Sequence, residues 1–198
     1  MKRLSLTTAA VAFAIGLSTT ILPFKAAQAA NYVIDTARAH AFVQFRVQHL
    51  GFSWLYGRFN TFSGDFSYDA ASPEASKVNV TIDTTSLDTN HGERDKHLRS
   101  ADFLDTTKYP KATFISTGLT QNGDGSAKLR GDFTLHGITK PITLNVKKMG
   151  EGKDPWGGYR AGFEGTTTIT MADYGITYNL GPASTKAEII LTFEGVRK

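Results

Sequence analysis

The sequence of 198 residues contains no cysteine. That excludes a disulfide framework, thiol catalysis, a thiolate-ligated metal and a lipid-modified N-terminal cysteine. Other absences narrow the chemistry further. No Gly-x-Ser-x-Gly elbow surrounds Ser53, Ser63, Ser86, Ser100 or Ser116, and no Gly-rich phosphate loop occurs. His40, His49, His91, His97 and His136 lack the i, i+4 pairing of a helical metal site, so no metal is expected. Lysines and arginines are scattered singly and offer no sustained basic face to nucleic acid. Repeats, linkers and low-complexity segments are missing, and past Ala30 there is no second long apolar run.

The one apolar run lies at the start. Lys2 and Arg3 precede a stretch from Leu4 to Leu22, followed by Pro23-Phe24-Lys25 and then Ala27-Gln28-Ala29. Charged, apolar and small-residue regions in that order predict a cleavable secretory signal peptide over residues 1–29. The alternative is an uncleaved anchor, since the run is nearly long enough to span a bilayer. Thr7, Thr8, Ser18, Thr19 and Thr20 dilute its apolarity, which favours the signal. Lys2, Arg3 and Lys25 would leave with it, lowering the formal net charge from +4 to +1. Residues 30–198 are then expected to form one exported domain. Without disulfides it must be held by core burial, and a chain of that size buries roughly 70% of its unfolded surface.

Within that domain the hydrophobic period is two. Ala41, Val43, Phe45 and Val47 alternate with Phe42, Gln44, Arg46 and Gln48. Val78, Val80 and Ile82 alternate with Asn79, Thr81 and Asp83, and Leu129, Gly131, Phe133 and Leu135 with Arg130, Asp132, Thr134 and His136. Ile142, Leu144 and Val146 repeat the pattern, as do Ala187, Ile189, Leu191 and Phe193. Such runs are half-buried strands. Turn signals separate them at Asn122-Gly123-Asp124-Gly125, Gly137 to Pro141, Asp154 to Gly158 and Gly181-Pro182. The fold class is therefore all-β, a sandwich or an up-and-down barrel. Residues 86–109 break the period, and one short helix is predicted there, capped by Thr89 or Asn90 and flanking the barrel.

Periodicity leaves two readings of the apolar stripe open. It either fills the interior as core or lines a cavity. Gly64 and Gly131 fall on the stripe, where a missing side chain leaves room or lets a strand bend. Asp88, Arg94, Asp95, His97, Arg99 and Asp102 form the densest polar group. They read either as an acid/base or anion site or as a salt-bridged cap over the barrel.

The chain resembles the YceI-like family of bacterial periplasmic proteins, also described as polyisoprenoid-binding. The likeness rests on the run from His40 to Gly51, Tyr56-Gly57-Arg58-Phe59, Phe62-Ser63-Gly64 and the run from Asp88 to Leu104. It continues through Tyr109 to Phe114, Gly131 to Pro141, Arg160-Ala161-Gly162-Phe163 and Leu180 to Ser184. One departure is Met171-Ala172-Asp173, where many relatives carry a basic residue before the aspartate.

The resemblance implies an eight-stranded antiparallel lipocalin-like β-barrel, located in the periplasm, whose apolar pore holds an isoprenoid chain such as a quinone, its precursor or a polyprenyl lipid. The lining it suggests comprises Val43, Phe45, Val47, Phe66, Val80, Ile82, Phe114, Phe133, Leu135, Leu144, Phe163, Ile189 and Leu191, with His49 and Arg94 receiving a head group at the mouth. Such a carrier needs no cofactor and no catalytic group. The alternative is an enzyme acting on the lipid through the Asp88 to Asp102 cluster. Whether the barrel pairs with a second copy is left open.

Overall fold

The computed structural model describes residues 29–198, so the predicted leader, apart from Ala29, lies outside the described residues. Eleven antiparallel strands follow: β1 (Ala30–Ile34), β2 (Ala41–His49), β3 (Ser53–Phe59), β4 (Phe62–Tyr68), β5 (Lys77–Asp83), β6 (Leu87–Asp88), β7 (Lys111–Gln121), β8 (Ser126–Leu135), β9 (Ile138–Lys153), β10 (Tyr159–Thr170) and β11 (Lys186–Arg197). A single α-helix among the described residues, α1 (Gly92–Arg99), stands between β6 and β7.

Eight strands close a ring in the order β1, β4, β5, β7, β8, β9, β10, β11, with β1 pairing back onto β11. The expected eight-stranded barrel with one short helix is present. β11 is long enough to serve two neighbours on one side. Its last residues hold β1 through Val33↔Val196 and Ile34↔Gly195, and its first half holds β2 from Ala187↔Val47 to Phe193↔Ala41. The β2–β3 hairpin thus continues the wall above the ring, at what we term the upper end.

The alternation survives because each strand has one face turned into the barrel. β8 buries Leu129, Gly131, Phe133 and Leu135 while Lys128, Arg130 and Asp132 stay exposed. Its turn from β7 needs two left-handed residues, supplied by Gly123 (φ 84°) and Gly125 (φ 86°). Gly131 is used differently: a Cβ there would lie 2.3 Å from Phe114 Cζ, so the bare backbone admits the ring.

At the lower end aromatic rings fill most of the interior. Tyr32 stacks on Phe66 with centroids 4.8 Å apart, and Phe163 and Phe193 meet Phe66 edge-on at 5.6 Å. Outside this aromatic plug Arg160 binds Asp35 at 2.7 Å, Asp154 at 2.9 Å and Glu194 at 3.0 Å. It thereby ties β10 to the β1–β2 loop, the β9–β10 turn and β11. The Arg160 N–H donated to Asp35 holds that carboxyl below the usual carboxylate range.

The helix is capped one residue later than expected. His91 Nδ1 accepts the Arg94 N–H at 3.2 Å. Asn90 has φ 60°, outside the extended region that a capping residue occupies, and its N–H instead reaches Asp88 Oδ1 at 2.8 Å. Thr89 is bonded to Asp95 instead of capping.

Candidate functional site

Above the plug a layer with Val43, Phe114 and Leu144 is packed, and beyond it the barrel is not filled. A cavity of about 880 Å³ opens at the upper end. Its wall is built from inward positions of the strands: Phe45 and Val47 of β2, Leu55 and Phe59 of β3, Ile82 of β5, Phe133 and Leu135 of β8, Ile169 of β10, and Ala187 and Ile189 of β11. Two crossings between strands cover it. Leu98, Phe103 and Leu104 come from the crossing between β6 and β7, and Met171, Ile176 and Leu180 from the crossing between β10 and β11. Polar groups gather at the mouth, among them Gln48, His49, Thr89, Arg94, His97 and Asn179.

The covering segment is held by its own polar residues. Arg94 donates from Nε to the Thr89 hydroxyl at 2.7 Å and from Nη2 to the Thr89 carbonyl at 2.6 Å. Buried Asp95 accepts from the Thr89 backbone N–H at 2.9 Å and from its hydroxyl. Arg99 donates to the Leu87 carbonyl at 2.7 Å. Asp88 accepts from the Asn90 N–H, Asn60 and Arg58, which together hold its carboxyl below the usual range. His97 pairs with Asp102 at 3.0 Å and stands edge-on to Phe103 and Tyr178. The cluster from Asp88 to Asp102 therefore bonds largely within itself and with adjoining backbone. Its structural effect is to keep Leu98, Phe103 and Leu104 over the barrel.

The residues expected to line a pore separate by height along the barrel. Phe45, Val47, His49, Ile82, Arg94, Phe133, Leu135 and Ile189 border the cavity. Val43, Phe114 and Leu144 belong to the packed core, with Val80 and Leu191 against it. Phe66 and Phe163 sit in the lower plug, beside a second cavity of about 90 Å³. Sequence reasoning missed Leu55 and Phe59, although Leu55, Gly57 and Phe59 alternate with Trp54, Tyr56 and Arg58 and carried the signal. It also missed Leu98 of α1 and Phe103, Leu104, Met171, Ile176 and Leu180 of the two crossings, where no strand period runs.

What this arrangement can do is enclose an apolar chain while leaving one end near polar groups. A small-molecule site typically measures about 300–1,000 Å³.

An antiparallel barrel packed at one end, open at the other and apolar between has the architecture of the lipocalin-like barrels. Residues 32–196 match the family model described as the YceI-like domain, and the chain belongs to that family. It is 60% identical over 172 residues to a UPF0312 protein of Ectopseudomonas mendocina (strain ymp), spanning 87% of this chain and 90% of the relative. A UPF0312 protein of Shewanella baltica (strain OS195) is 57% identical over 186 residues, spanning 94% and 97%. Among solved structures, BcnA of Burkholderia cenocepacia superposes with a TM-score of 0.73 at 20% identity, over 81% of this chain and 98% of that one. The YCEI protein of Campylobacter jejuni gives 0.69 at 28% identity, over 77% and 90%. A domain of Saccharophagus degradans, described as polyisoprenoid-binding and implicated in plant cell wall breakdown, gives 0.62 at 20% identity, over 86% and 100%.

Proposed function

We propose that this protein is an exported carrier that holds one isoprenoid lipid in the barrel, tail down on the packed core and head group at the mouth beside His49 and Arg94. The observation that carries the reading is the apolar cavity of about 880 Å³, closed below and open above. A cavity of that size lies within the range of about 300–1,000 Å³ for ligand sites and suits an isoprenoid tail. Each methylene taken from water contributes on the order of 0.8 kcal/mol before the cost of ordering the chain. The N-terminal leader predicted from residues 1–29 would place the protein in the periplasm. The description of the Saccharophagus domain as polyisoprenoid-binding supports the choice of ligand class. A quinone or quinone precursor fits because its ring is polar enough for the mouth and its tail apolar enough for the pore. Against an enzyme acting through the Asp88 to Asp102 cluster stands the internal use of its groups, since both Arg94 and Asp95 bind Thr89.

The test is native mass spectrometry and solvent extraction of the protein expressed from the full chain. One isoprenoid per chain is expected, and added quinone should raise the Tm of stripped protein. Phe45→Asp, which places a charge on the wall, should abolish retention; Ile189→Trp, which fills the lumen with an apolar ring, should do so without burying a charge. No isoprenoid mass together with no thermal shift would refute the carrier reading.

A further inference from the structure

The β2–β3 turn projects beyond the mouth and is apolar. Phe52 at its tip is 88% exposed and Leu50 58% exposed; Tyr178, on the facing crossing, is 47% exposed. Leu50 adopts φ 52°, a left-handed conformation that a branched side chain seldom takes. Backbone strain is thus accepted at the position that presents Leu50 outward. Leu50 and Tyr178 also border the cavity, so the lip and the pore lining form one continuous apolar surface. Trp54 and Tyr56 follow on the outer side of β3, with the Arg46 guanidinium 4.2 Å over the Trp54 ring.

The two lip segments carry no carboxylate, and the acid nearest Tyr178, Asp102 on the neighbouring crossing, is bonded to His97 at 3.0 Å. No acidic residue stands between Asp35 and Asp65, nor between Asp173 and Glu188, and these two segments supply the lip. The basic residues nearest the turn are Arg46 and Lys186, with Arg58 at the far end of β3. Glu188 and Asp88 bind the two arginines at 2.6 and 3.2 Å and temper their charge. A large apolar tip, flanking Trp and Tyr, adjacent bases and no carboxylate in the turn suit the interface of a bilayer containing anionic lipid.

We propose that the lip of Leu50, Phe52 and Tyr178 docks the cavity mouth onto an anionic phospholipid bilayer, so that a lipid tail passes between membrane and barrel without crossing water. The purpose of the docking rests on the carrier reading, but the docking itself is measured separately.

The experiment uses the protein expressed from the full chain, with flotation on vesicles of phosphatidylglycerol and phosphatidylethanolamine. Trp156 lies at the opposite end of the barrel, so Trp156→Phe leaves Trp54 as the single indole reporter. Vesicles should shift Trp54 emission to the blue. Phe52→Ser should weaken vesicle binding by about tenfold or more, Phe52→Leu should largely restore it, and both should retain bound isoprenoid. Wild-type protein that carries isoprenoid yet neither floats nor shifts its emission would overturn the docking proposal and leave the carrier reading standing. A dimer in solution that Phe52→Ser splits, with no vesicle binding, would overturn it in favour of an interface between copies. Vesicle binding with no isoprenoid ever bound would refute the carrier reading and the transfer role of the lip with it.

Discussion

Gly57 faces Phe45 across the β2–β3 pair. A methyl group at position 57 would stand 2.3 Å from Phe45 Cζ and 2.8 Å from both Phe45 Cε1 and Thr89 Cγ2. Carbon atoms rest at about 3.5–4.0 Å, so Gly57→Ala displaces one neighbour by about 1 Å or more. Thr89 cannot yield easily, because its N–H and hydroxyl are both bonded to Asp95. The Phe45 ring can, since one of its sides is the cavity. We therefore expect the ring to swing into the lumen. Over-packing a core costs about 1–3 kcal/mol. With free space on one side the lower figure applies, and about 1 kcal/mol lowers Tm by roughly 2–4 °C in a chain of this size. The effect on cargo should be larger than the effect on stability, because the ring then occupies space the lipid needs. Phe45→Leu removes the obstructing ring atoms, so the double variant Gly57→Ala/Phe45→Leu should be more stable than the two single changes summed. Urea unfolding of the four proteins measures that coupling, and bound isoprenoid is counted by mass spectrometry. Additivity within about 0.5 kcal/mol, with cargo unchanged in Gly57→Ala, would refute the reasoning.

Asp95→Ala leaves the Thr89 N–H and hydroxyl without their acceptor in a buried position, which should cost about 1–3 kcal/mol and speed amide exchange through residues 89–99. The Tyr174 hydroxyl is buried without a hydrogen-bond partner among the described residues, so Tyr174→Phe should leave stability equal or raise it, as a thermal melt will show. Burial, with Asp173 nearby, pushes that phenol from 10.0 to about 12. Its contribution is then fully present below pH 10 and lost as pH rises towards 12, so Tyr174→Phe should reduce alkaline unfolding in that window. Asp35 has the opposite sign: Arg160 lowers its pKa from 3.8, so its contribution is present above that pH and lost as pH falls below it. Arg160→Met should lower Tm at neutral pH and flatten its fall under acid, and an unchanged acid limb would count against the Arg160–Asp35 pair as its source.

Much of this was legible in the sequence. Alternation in β2, β5, β8, β9 and β11 identified the strands and the inward face of each, because a half-buried strand can satisfy a barrel only with period two. The irregular charged run between β6 and β7 marked the helix, and its cap fell on His91 and not on Thr89 or Asn90. The absence of cysteine required the domain to rely on core burial.

Height along the barrel was not legible. Phe45 and Phe66 have the same local signature, yet one borders the cavity and the other stacks in the plug. What separates them is the company each keeps across the barrel. Tyr32, Phe163 and Phe193 converge on Phe66 from strands far apart in sequence, whereas the space beside Phe45 is left empty. The covers were hidden for a related reason, since Leu98, Phe103, Met171 and Leu180 are brought together by loop hydrogen bonds and not by any repeat. Local pattern, through the two-residue pitch of a strand, determined which side chains face inward. Whether those side chains meet as core or stand apart around a cavity was decided only when the non-local strands closed the ring and fixed the distance between opposite walls.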